Sequence, residues 1–166
     1  MTSYYDKLSE ERKQLHEQGL LPEWMHTGGY QLFKQKYMWA PTPRAQYEAI
    51  AATAAKHTDD APKWKDKFFE LLWNGWLSPS TPVLANMGTT RGFPVSCSGS
   101  YTPDSIHGFY EALHEMALLT KGGFGTSTYL GDIRPRGTRI STGGKASGVM
   151  PVLRARVQAS RDVSQG

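Results

Sequence analysis

A chain of 166 residues, 39% apolar and 11% aromatic, can bury a core and fits one domain or one and a fraction. That composition excludes general disorder, and no apolar run approaches the roughly 20 residues that a membrane span requires. The net charge of +4 is modest and its Lys and Arg are not interleaved with aromatic residues, which argues against direct nucleic-acid binding; a single cysteine excludes an internal disulfide.

Residues 1–18 are charged and carry no signal-peptide apolar region, so a reducing, cytoplasmic setting is expected. Residues 3–18 are helix-compatible, with Ser9-Glu10-Glu11 as a local start. Gly19, Pro22 and Gly28-Gly29 then interrupt the chain around Leu20, Leu21, Trp24 and Met25. Residues 30–37 suit a helix with Leu32 and Phe33 facing inward. The whole of residues 1–39 is expected as a surface arm packed on a larger body.

Thr42-Pro43 is a strong helix opening, with threonine as cap and proline in the first turn. Tyr47, Ile50, Ala51 and Ala54 recur at helical spacing up to Lys56-His57. Ala61-Pro62 opens a second helix with Trp64, Phe68, Leu71 and Leu72 as its apolar stripe, and Asn74-Gly75 ends it. The two helices predict an amphipathic hairpin, and the boundary of a first, helical domain is expected at residue 76.

Beyond Trp76 the prolines 79, 82 and 94, with Gly88 and Gly92, predict short extended pieces around Val83-Leu84 and residues 95–98. Pro103-Asp104 opens another helix, capped by Asp104 or Ser105, with Ile106, Phe109, Tyr110, Leu113, Met116 and Ala117 on one face. A glycine turn after Lys121 leads into strand-like runs at residues 126–130 and 138–140. Residues 149–163 predict a last helix with Val152, Leu153 and Val157 apolar.

Four features can carry chemistry. Cys97 is either a small buried hydrophobe or a reactive thiol, which needs exposure and a favourable field. Lys121-Gly122-Gly123-Phe124-Gly125-Thr126 is glycine-rich, but its lysine precedes the glycines, so it is no Walker loop; a tight helix-to-strand turn is the alternative. His107, Glu111 and His114 have helical metal-ligand spacing, but a solvated polar face is the default reading. Arg134, Arg136 and Arg139 are loop charges or phosphate ligands through forked hydrogen bonds.

The order of these motifs resembles the large (α, catalytic) subunit of ribonucleotide reductase, and upstream Gly28-Gly29-Tyr30 and residues 34–37 resemble its phage and bacterial class I form. Ser80-Thr81-Pro82, Ser96-Cys97, Asp104-Ser105-Ile106, residues 121–126, Ile133-Arg134-Pro135 and the closing Ser164-Gln165-Gly166 all fall in register. The resemblance implies an α/β fold: a helical N-terminal domain, then, from residue 77, the first strands and helices of a ten-stranded α/β barrel. It implies that Thr81, Ser96 and Gly125 meet the substrate, and that Cys97 is one of two cysteines that reduce the ribose 2′ carbon. Asp104, Ser105, Ile106, Lys121, Arg134, Ser141 and Thr142 fall where the family binds a specificity effector, ATP or a deoxynucleoside triphosphate, beside a dimer interface.

The resemblance further implies a homodimer, a metal-containing, radical-generating small subunit, and thioredoxin or glutaredoxin as reductant. No cofactor or metal is expected on this chain itself. The family's radical cysteine, its second redox cysteine and its acid–base residues belong to later sequence, so activity is expected only together with a C-terminal complement. A nucleotide-binding or regulatory module without catalysis is the alternative. Ser127 stands where the family's turn commonly has glycine, which puts the path of that turn in question.

Overall fold

The computed structural model describes residues 3–163, and the Ser164-Gln165-Gly166 motif lies outside them. The chain divides into two compact units, 1–94 and 95–166. The division follows Pro94, downstream of the change in composition at Trp76, because the segment after Trp76 packs into the first core.

The first unit is helical: α1 (Tyr4–Glu17), α2 (Thr27–Lys36), α3 (Pro43–Ala55), α4 (Ala61–Trp73) and α5 (Thr81–Asn86). Helix α1 begins earlier than Ser9. Ser3 accepts from the Asp6 N–H and the Asp6 carboxylate accepts from the Ser3 N–H, a reciprocal cap that satisfies two otherwise unpaired donors. Nor is this part an arm. Leu8, Leu21, Met25, Tyr30 and Phe33 are buried with Tyr47, Ile50 and Leu72 in one cluster, so the first 39 residues build half of the core. On α2 the inward residues are Tyr30 and Phe33, whereas Leu32 is exposed. The Tyr30 hydroxyl, buried with the rest of its side chain, donates to Glu11, which also pairs with Lys34.

Thr42 caps α3 and Asp60 caps α4, each followed by proline in the first turn. Of the α4 stripe only Leu72 is fully buried, and Leu71 faces outward. Val83 and Leu84 are helical, not extended: Ser80 stands at the cap position and Pro82 sits in the first turn, where its missing N–H costs nothing. Val83, Leu84 and Met87 then pack on the core. Gln46, with no exposure, ties these pieces together. Its carbonyl accepts from the Trp39 N–H, and its amide donates to the Tyr37 and Leu84 carbonyls, both at 2.8 Å.

The second unit holds β1 (Cys97–Tyr101), α6 (Ile106–Lys121), β2 (Gly125–Tyr129) and α7 (Val149–Asp162). The strands are parallel, paired from Cys97↔Gly125 to Tyr101↔Tyr129, and α6 is the crossover that parallel pairing demands. Alternate strand residues are exposed, whereas parallel sheets in complete folds are covered on both faces. Ser105 caps α6 by accepting from the Gly108 N–H.

The buried stripe of α6 is Gly108, Ala112, Met116 and Thr120, not the bulky stripe that periodicity picks out. Of that bulky stripe only Met116 is buried, and Ile106 and Tyr110 are 70% and 67% exposed. At Gly108 no side chain fits, because a Cβ there would lie 2.7 Å from the Pro103 ring. Residues 138–140 form no strand among the described residues. A single antiparallel bridge, Arg139↔Lys145, closes a small loop there, reinforced by Ile140 N–H to the Gly144 carbonyl and Ala146 N–H to the Thr138 carbonyl.

Candidate functional site

Cys97 opens β1 with its side chain exposed. The adjacent strand places Gly125 opposite it, and the Gly125 N–H donates to the Ser96 carbonyl at 2.7 Å. A Cβ on Gly125 would come to 3.4 Å from that carbonyl and 3.8 Å from the Cys97 sulfur, so the glycine leaves the approach to the thiol open. The turn feeding β2 is a helix stop: Gly122 caps α6, Gly123 takes φ of 92°, and Phe124 is buried. Ser127 fits this path without positive φ, and its hydroxyl donates to the Ser98 carbonyl across the pair. Thr81 belongs to the first unit, as the exposed first residue of α5.

A cleft of about 540 Å³ opens in the second unit between the start of α6, the residue 131–148 loop and α7. Asp104, Ser105, Ile106, Arg134, Ser141 and Thr142 all line it, six of the seven residues that the resemblance marks for the effector. Two of them are joined. Arg134 Nε donates to the Asp104 carboxylate, and its Nη2 donates to the Asp104 carbonyl at 3.3 Å. The ion pair is partly exposed, so it contributes little to stability. Phe109, Tyr110, Leu113 and Ile140 give the same cleft an apolar side.

Lys121 is the seventh residue, and it is elsewhere. It ends α6, fifteen residues beyond Ile106, which at 1.5 Å per residue is roughly 22 Å away. Arg136 and Arg139 are exposed on the loop. His107 and Glu111 approach to 3.6 Å on the solvent side of α6, and no group of three metal-ligating side chains occurs among the described residues. No described helix is long and apolar enough to cross a membrane.

Reasoning from sequence missed Thr102 and Arg156, both buried next to the cleft. Arg156 Nη2 donates to Thr102 Oγ1 at 2.8 Å, and burial lowers its pKa against the opposing pull of Glu115. The available signal was position: Arg156 follows Val152 by four residues and so shares the inward face of α7.

The fold of the two units defines a class of protein, and similarity to known proteins agrees with it. The all-alpha domain of ribonucleotide reductase matches residues 27–92 and its barrel domain matches residues 95–166, so the chain belongs to the ribonucleotide reductase large-subunit family. The helical unit is therefore the family's N-terminal domain and the two-stranded unit is the beginning of its barrel.

Among relatives, the chain is 36% identical over 105 residues to the vitamin B12-dependent ribonucleoside-diphosphate reductase of Mycobacterium tuberculosis, covering 63% of this chain and 15% of that protein. It is 34% identical over 127 residues to the ribonucleoside-diphosphate reductase large subunit of Arabidopsis thaliana, covering 74% of this chain and 15% of that one. Among solved structures, the Actinobacillus ureae class Id ribonucleotide reductase alpha subunit superposes with a TM-score of 0.71 at 32% identity, over 87% of this chain and 27% of that chain. The chain thus spans about 15% of the length of the curated relatives that it matches.

Proposed function

We propose that this chain supplies the first part of a subunit that reduces ribonucleotides to deoxyribonucleotides, with Cys97 as one half of the reducing thiol pair. The observation that carries the reading is the open Cys97–Gly125 rung, an exposed thiol with unobstructed space beside it. Replacing a ribose 2′-hydroxyl by hydrogen takes two electrons and releases water. Two thiols supply the electrons and end as a disulfide, so one cysteine needs a partner from the rest of the subunit. Ser96 and Gly125 face the substrate in this account, and Thr81 is a phosphate ligand on the family resemblance alone.

The cleft is the effector site in the same reading, binding ATP or a deoxynucleoside triphosphate. Asp104 and Ser105 meet the sugar, Ile106 the base, and Arg134, Ser141 and Thr142 the phosphates. Lys121, at the far end of α6, serves the site of a second copy in a homodimer whose interface includes the exposed Ile106 and Tyr110. The radical comes from a separate metal-containing small subunit, and thioredoxin or glutaredoxin restores the thiols. A second reading, a nucleotide-binding module without catalysis, is favoured by one observation: six effector residues meet within one unit.

Co-expression with the downstream part of a reductase large subunit tests the choice. Deoxyribonucleotide formation that needs both parts and the small subunit supports the catalytic reading. Nucleotide binding without any turnover in the assembled enzyme supports the second.

A further inference from the structure

Arg156 occupies an apolar-stripe position on α7, is only 5% exposed, and lines the cleft with Val152 and Ala155. Burying a guanidinium is unfavourable unless carboxylates or several acceptors take up its donors. Here one neutral acceptor does so. Nη2 donates to Thr102 Oγ1, which itself lies 2.8 Å from Thr128 Oγ1. Nε is buried with no partner at all. No carboxylate among the described residues forms an ion pair with it. Arginine keeps its charge at neutral pH even when burial lowers its pKa, so the cleft holds a cation that Glu115 attracts at a distance but that no ion pair among the described residues neutralises.

Its placement relates it to Arg134. Thr102 and Asp104 are two residues apart, at most about 7 Å along the chain. Each holds one guanidinium: Thr102 that of Arg156, Asp104 that of Arg134. The two differ in what they offer a ligand. Arg134 is already paired with the Asp104 carboxylate, whereas the hydrogen bond of Arg156 goes to a neutral hydroxyl. The start of α7 adds to the attraction for anions. Gly148 caps it without any side-chain acceptor and lines the same cleft, so the first N–H groups of this 14-residue helix lack a side-chain partner.

We propose that Arg156 is a phosphate-binding residue of the cleft, donating to an anionic oxygen of a nucleoside triphosphate bound there. The inference rests on the nucleotide reading of the cleft and adds a residue that the family motifs do not mark. Arg156 then senses the phosphates, and its loss weakens triphosphates while leaving a phosphate-free nucleoside unaffected.

The test is calorimetric titration of the 166-residue chain with ATP, dTTP and thymidine, together with the melting temperature in tripolyphosphate. The proteins are the wild type, Arg156→Met, Arg156→Lys and Asp104→Asn. Expected are triphosphate binding by the wild type, at least tenfold weaker binding by Arg156→Met, and partial recovery in Arg156→Lys. Tripolyphosphate should raise the melting temperature of the wild type and not of Arg156→Met. Without ligand, Arg156→Met should melt at or above the wild-type temperature, since it removes a buried charge that has no ion pair. Wild-type affinity in Arg156→Met, with Asp104→Asn weakened, overturns the proposal and leaves the nucleotide reading standing. Failure of the wild type to bind any triphosphate overturns both. A lower melting temperature in Arg156→Met, with triphosphate and thymidine affinities falling together, makes the arginine structural and also overturns it.

Discussion

Cys97 and Gly125 form the first rung of the parallel ladder, and a Cβ added to Gly125 would stand 3.8 Å from the Cys97 sulfur. That is ordinary contact, and Gly125 does not use positive φ, so alanine is sterically admissible. Gly125→Ala is therefore expected to fold, with stability within about 1 kcal/mol of wild type. The methyl group would nevertheless occupy space beside the thiol. In an assembled enzyme the expectation is at least a tenfold loss of turnover with effector affinity unchanged. Normal turnover by this variant would show that the space is not used by substrate.

Gly108 is the opposite case. Its absent Cβ would fall 2.7 Å from Pro103 Cβ and 2.9 Å from Pro103 Cγ, and a proline ring cannot swing aside. Gly108→Ala gains up to about 1 kcal/mol of helix propensity but forces α6 away from its own entry loop. Overpacking of this kind costs about 1–3 kcal/mol, so a net loss of stability is expected, along with weaker effector binding through displaced Asp104 and Ser105. Thermal melts and titrations of the two properties together check this.

Gln46 is predicted to be a strong stability determinant of the helical unit. Gln46→Leu keeps the volume but strands the Trp39 N–H and the Tyr37 carbonyl in a partly buried setting. Unpaired buried groups cost about 1–3 kcal/mol each, so two partly buried ones give an expected loss at the lower end of about 2–6 kcal/mol by denaturant unfolding. Leu84 suffers less, because its carbonyl also accepts from Trp39 Nε1 at 3.0 Å.

The helical unit should also lose stability in alkali. Burial pushes the Tyr47 phenol up to about 12, from an ordinary value of 10. The folded state therefore favours the protonated phenol. This contribution is fully present below pH 10 and is lost as pH rises from 10 through 12. Burial, then the Glu11 hydrogen bond, raises Tyr30 as well and acts in the same direction. The Tyr47 shift is worth about 2–3 kcal/mol, and Tyr47→Phe should remove it. Chemical unfolding of both proteins at pH 8 and pH 11.5 measures the difference, which should appear only at the higher pH.

Much of this architecture is legible from capping and breaking residues, because these act locally. Thr42-Pro43, Ala61-Pro62 and Asn74-Gly75 mark α3 and α4 where they occur. What sequence alone misreads depends on distant neighbours. Tyr30, not Leu32, faces inward because the core lies on that side of α2 and Glu11 receives its hydroxyl. The bulky stripe of α6 is not its buried stripe, because Pro103 comes too close at Gly108 for any side chain. For the site, short motifs bring Asp104 and Arg134 into register across 30 residues, and the structure joins them. Lys121 shares their motif pattern but not their place, since a straight helix carries it away. Arg156 stayed hidden because an arginine on an apolar stripe reads as a solvent-facing charge until its burial is seen.

The oxidation state of Cys97 after turnover tests the central claim most directly. The subunit is assembled with its downstream part and the radical source, supplied with ribonucleotide and effector but no external reductant, then quenched and alkylated. The account predicts a limited yield of deoxyribonucleotide per subunit, with Cys97 protected from alkylation and recovered by mass spectrometry in a disulfide. The Cys97→Ser subunit should bind effector normally and give no repeated turnover with a chemical dithiol. Sustained turnover by Cys97→Ser, or a freely alkylated Cys97 after product has formed, would contradict its place in the reducing pair.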